Sequence, residues 1–105
     1  MADIDYIEAL TYSDRIRYRI KTDRRTVVDF VVQYEMLVDD EYRPVVRYDG
    51  SHGRGHRDIL DKRGDTIDKQ WLPQHMSLNA CLNYGRDDLR ANWERYRDRF
   101  LERYI

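Results

Sequence analysis

The chain has 105 residues, the size of one domain and too few for two hydrophobic cores. Charged residues make up 37% of it and the mean hydropathy is −0.91, yet a 41% hydrophobic fraction with nine tyrosines and two tryptophans excludes a disordered chain and calls for a partly aromatic core. Nineteen basic residues against twenty acidic ones remove any bulk-charge argument for nucleic acid or an anionic membrane, and no apolar run has the length of a membrane span or the flanks of a secretory leader, so a soluble, cytoplasmic protein is expected.

Residues 1–10 place Ile4, Ile7 and Leu10 at helical spacing, which predicts a short helix or an arm. From Tyr12 to Thr22 the chain alternates, with Ile16, Tyr18 and Ile20 on one face and Arg15, Arg17, Arg19 and Lys21 on the other. A period of two is a half-buried strand, here with a cationic outer face. After the turn Thr22-Asp23-Arg24-Arg25, the β-branched run 26–38 predicts a central strand. Val28, Phe30, Val32, Tyr34 and Met36 are expected on one face of it, and Val27, Asp29, Val31, Gln33 and Glu35 on the other. Asp29 and Glu35 are then positioned to pair across with the arginine row, the competing explanation to nucleic-acid binding for that row.

Asp39-Asp40 marks a turn, and residues 42–49 read as a third strand with Pro44 at its start or on an edge. Residues 56–61 and 66–71 flank Lys62-Arg63-Gly64-Asp65, a hairpin turn with glycine at the left-handed position. The Arg63-Gly64-Asp65 triplet needs no further role than that turn. Ser77 is a suitable N-cap for a helix over 77–104. Its apolar stripe runs through Leu78, Leu82, Leu89, Trp93, Tyr96 and Phe100, and Gly85 predicts a kink or break. The lone Cys81 reads as a buried thiol in a reducing compartment. These elements imply an α+β fold over 1–105: an antiparallel meander of about five strands in 12–71, with the long C-terminal helix packed on one face. The other face, lined by arginine, is a candidate groove or homodimer surface.

Chemistry concentrates between Arg47 and Asp58, where two of three histidines, three of five glycines and three arginines fall within twelve residues. Metal-independent RNA cleavage needs a base, an acid and positive charge on the phosphate, and His52 and His56 with Arg47 and Asp49 are candidates for that catalytic set. Gly53, Arg54, Gly55 and Arg57 are candidate phosphate binders, and Tyr48 and Trp71 candidate base-stacking residues. No cofactor is required. The competing assignments are a metal held by His52, His56 and Asp49 or Asp58, with His75 joining, or a pair His52 and His56 that braces a tight turn between strands, one of them donating to Asp49 or Asp58.

The stretch from Arg47 to Asp58 and the hairpin after it resemble a family of small uncharacterised prokaryotic proteins over residues 26–101. The central dozen residues also resemble, more loosely, the TumE-type toxins of toxin and antitoxin systems, which carry an Arg-x-Asp strand end followed by histidines. That resemblance implies Arg47, Asp49, His52 and His56 as the functional set, RNA as substrate and an antitoxin as partner. Two functions follow as expectations. One is a toxin- or defence-type ribonuclease; the other is a non-catalytic module that binds protein or nucleic acid through the arginine-lined face and the glycine-rich loop.

Overall fold

The computed structural model describes residues 1–104, with the side chain of His52 outside that description. These residues form one antiparallel sheet in the meander order β1 (Ala2–Ala9), β2 (Asp14–Asp23), β3 (Thr26–Val38), β4 (Glu41–Asp49), β5 (His56–Leu60) and β6 (Thr66–Trp71), followed by the helix α1 (Leu78–Tyr104). The helix packs across β3 and β4. The fold is α+β, as expected, with six strands instead of about five.

The additional strand is β1, where a short helix or arm was expected. Its residues pair with β2 from Ala2 to Ala9, so the alternation of Asp3 and Asp5 with Ile4 and Tyr6 outweighs the helical spacing of Ile4, Ile7 and Leu10. The Tyr6 ring stacks on Tyr18 with centroids 4.4 Å apart, and Glu8 accepts the Tyr18 hydroxyl at 2.6 Å while Arg90 of the helix pairs with the same carboxylate. Those contacts carry the edge strand against both its neighbours.

Strand β3 departs from the expected facing at its start. Between Lys21 and Thr22 the register with β2 shifts by one residue, so Val28 is bulged and exposed while Val27 enters the core beside Phe30, Val32 and Tyr34. Pro44 occupies another irregularity: Val46 lies opposite Tyr34 and Pro44 opposite Glu35, leaving Val45 as the extra residue. Pairing of β4 with β5 begins only at Val46, so the missing proline N–H interrupts no ladder on that side. The β3–β4 turn falls at Asp39-Asp40 as expected and uses positive φ at both, and the β5–β6 turn has Gly64 at its expected left-handed position.

Ser77 caps the helix, its Oγ accepting the amide of Ala80 at 3.1 Å. The helix then runs unbroken past Gly85, where a kink or break was expected. A side chain at Gly85 would place its Cβ 2.7 Å from Tyr48 Cγ, so the glycine marks close approach of helix and sheet instead of a break. The buried face is Cys81, Gly85, Leu89, Tyr96 and Phe100, with Leu78, Leu82 and Trp93 flanking it. The two small residues let the helix backbone lie against Tyr48 and Gly55.

Candidate functional site

Residues in direct register across a sheet share a face. One cross-sheet row on the side away from the helix is therefore Ile7, Arg17, Gln33, Arg47, Asp58 and Lys69, and the next is Asp5, Arg19, Val31, Asp49, His56 and Trp71. The structure thus brings Arg47, Asp49, His56 and Trp71 of the sequence-derived set together on the open face. Arg54 joins them: its guanidinium lies 5.3 Å from the Trp71 ring centroid and its Nε donates to the carbonyl of Leu72.

Two expected members lie on the opposite face. Tyr48 and Arg57 each neighbour an open-face residue in sequence, and the period of two turns them toward the helix. Tyr48 is buried and donates its hydroxyl to Asp88 at 2.7 Å, so it offers no ring face to a base. Arg57 donates to the hydroxyl of Tyr96 at 3.1 Å, and Tyr96 donates in turn to Asp88 at 2.6 Å. Burial, then hydrogen bonding to the Asp88 carboxylate, pushes the phenols of Tyr48 and Tyr96 above their ordinary titration range. Asp88 joins sheet to helix and was not visible in the sequence, because nothing local distinguishes it from Asp87.

The glycine loop is also used internally. Gly53 has φ +79° and its amide donates to the carbonyl of Gly50, while the Ser51 amide and hydroxyl donate to Asp49 Oδ1. Gly55 is packed against the helix, where an added Cβ would fall 2.5 Å from Cys81 Sγ. The Gly53 amide is thus engaged within the loop, and the Cα of Gly55 is packed against the helix.

His56 is 3% exposed. Its Nε2 lies 3.2 Å from Asp49 Oδ1 and 3.3 Å from Asp58 Oδ2, and the Trp71 ring covers it with centroids 5.0 Å apart. Nε2 thus stands between the two carboxylates, the turn-bracing arrangement weighed above for one of the histidines. The donor atoms of Asp49, His56 and Asp58 lie within 4.8 Å of one another, a set of one imidazole and two carboxylates that a first-row divalent cation would accept. Lys69 Nζ stands 3.7 Å from Asp58 Oδ1 and already supplies positive charge there. His75 lies in the exposed turn before the helix and is not part of this group, and the His52 side chain falls outside the described residues.

Beside this cluster the open face holds a shallow groove of about 340 Å³ lined by Arg17, Arg19, Val31, Gln33, Arg47 and Asp49. Its floor is a polar ladder in which Arg47 Nε donates to Gln33 Oε1, Gln33 donates to Glu35, and Glu35 accepts Arg15 Nε at 2.7 Å. The expected pairing of the arginine row with β3 thus holds for Arg15 and Glu35. Arg17 and Arg19 instead face Asp5 of β1, at 3.7 and 3.5 Å, and both pairs are exposed.

A family model matches residues 1–104, and its description is Domain of unknown function (DUF7718). The chain belongs to this family. The match takes in β1 as well as the 26–101 stretch. No curated protein and no solved structure matches the chain. No helix among the described residues of this family member is long and apolar enough to cross a membrane.

Proposed function

We propose that the chain is a non-catalytic binding module that holds single-stranded RNA against the open face of its sheet. The observation that carries this reading is the convergence of Arg17, Arg19 and Arg47 on one groove, with an exposed Trp71 two strands away. The ion pairs of Arg17 and Arg19 with Asp5 are long and solvated, so each contributes about 0–1 kcal/mol and yields readily to a phosphate. Arg17 Nε is buried with no hydrogen-bond partner among the described residues, an uncompensated donor in a side chain that lines the groove. Trp71 supplies a flat apolar surface for a base, with Arg54 and Lys69 against its ring.

Burial of His56 between two carboxylates supports binding over cleavage, because an acid or base must reach the substrate within about 3 Å. The buried, unpaired Cys81 supports work in a reducing compartment such as the cytoplasm. The test is fluorescence anisotropy with a labelled oligouridine across a salt series. Three phosphate contacts on single-stranded RNA give a slope of log K against log salt of roughly −2, and Arg17→Gln with Arg47→Gln brings it to about −0.7. A slope unchanged in the double variant refutes the reading, as does turnover of the oligonucleotide by the purified protein.

A further inference from the structure

We propose a second anion site, on the helix side of the sheet, that takes a small phosphate monoester with an apolar body. A cavity of about 160 Å³ opens between the C-terminal half of α1 and strands β4 to β6. Arg57, Arg95, Arg99 and Arg103 line it, against the single carboxylate of Asp68. In a chain whose overall net charge is −1, four guanidinium groups around one cavity are a local excess that composition does not explain.

The pairing pattern points the same way. Asp68 reaches Arg57 only at 4.0 Å, and neither Arg95 nor Arg99 has a carboxylate that close among the described residues. Arg95, Arg99 and Arg103 follow one another at four-residue spacing, which in a helix stacks like charges and costs a few tenths of a kcal/mol per pair. Buried Arg57 Nε has no hydrogen-bond partner among the described residues, while its Nη1 is fixed by Tyr96. The side chain is thus held at the wall of the cavity with a donor unused. A phosphate dianion in the cavity would pair with the guanidinium groups that line it and relieve the repulsion along the helix, and guanidinium forks suit its oxygens.

The remaining wall is apolar, from Val45, Ile59 and Ile67. That composition favours an ester whose non-polar body rests on these side chains over inorganic phosphate alone. A polymer phosphate is the poorer fit, since the site is a recess and the open-face groove lies on the other side of the sheet.

Phenyl phosphate and inorganic phosphate are the probes, titrated by calorimetry into the full chain. Phenyl phosphate is expected to bind saturably and about tenfold more tightly than inorganic phosphate, since its ring covers apolar wall. Arg99→Gln and Arg103→Gln, both exposed positions expected to fold normally, each weaken it about tenfold or more, the loss of one charge-assisted contact. Arg17→Gln with Arg47→Gln leaves phenyl phosphate binding unchanged, and Arg99→Gln leaves RNA binding unchanged. Absence of saturable binding, equal affinity for the two probes, insensitivity to Arg99→Gln, or sensitivity to the Arg17 and Arg47 pair overturns the proposal. Failure of RNA to bind the open face does not bear on it.

Discussion

Replacing Gly85 by alanine sets two opposing effects against each other. At an exposed helical position the change stabilises by about 0.4–1 kcal/mol, because alanine loses less backbone entropy. Here the new Cβ falls 2.7 Å from Tyr48 Cγ, 2.9 Å from its Cβ and 3.0 Å from Cδ2, while comfortable carbon contacts begin near 3.5 Å. Something must move by roughly 0.5–1 Å. The ring cannot tip away, because its hydroxyl is held by Asp88 one turn further along the same helix and its backbone belongs to β4, paired on both sides. The helix must therefore lift, loosening Cys81 and Leu89 as it does. Overpacking of this kind costs about 1–3 kcal/mol, so the net expectation is a loss of about 1–2 kcal/mol. For a domain of this size that lowers Tm by roughly 5–10 °C. Urea unfolding of Gly85→Ala beside Asn83→Ala, an exposed neighbour, measures it. If both variants match or exceed the parent in stability, the close approach of helix and sheet at Tyr48 is wrong.

His56→Ala removes the group lying between two largely buried carboxylates, Asp49 and Asp58, and should destabilise the fold by about 3–5 kcal/mol in chemical denaturation; a variant of parental stability would return the ring to catalysis. Four buried phenols set the alkaline limit: Tyr18, Tyr34, Tyr48 and Tyr96 are held above their ordinary range first by burial and then by hydrogen bonds to Glu8, Asp14 and Asp88. Because these folded-state values are raised, their contribution is complete below about pH 10 and is lost as pH climbs toward them, at roughly 5 kcal/mol per pH unit for the four together. The share of the phenolate absorbance that comes from these four should therefore rise together with loss of far-ultraviolet circular dichroism; complete ionisation of all nine phenols in a chain of native ellipticity contradicts it.

Much of the sheet was legible in the residues. The alternation of arginine with Ile16, Tyr18 and Ile20, the β-branched run of β3, the left-handed position of Gly64 and the Ser77 cap are local signals, and each matches the element it predicts. What escaped was set by distant contacts. The edge strand β1 declares itself only through pairing with β2, and the bulge at Val28 reverses which valine enters the core. Gly85 reads as a helix breaker until Tyr48 is placed against it. In the central stretch, proximity along the chain groups Tyr48 and Arg57 with Arg47, Asp49 and His56, while period two puts them on opposite faces. The burial of His56 was not readable there, since Trp71 reaches it only through the pairing of β5 with β6.

The two tryptophans make the open-face reading directly observable. Trp71 is exposed in the same cross-sheet row as Asp49 and His56, and Trp93 packs near Tyr34 on the helix side. In a nitrogen-15 correlation spectrum titrated with oligouridine, the Trp71 indole signal is expected to shift progressively to saturation while that of Trp93 stays in place. Equal movement of both signals, or movement of neither, contradicts RNA binding on the arginine-lined face.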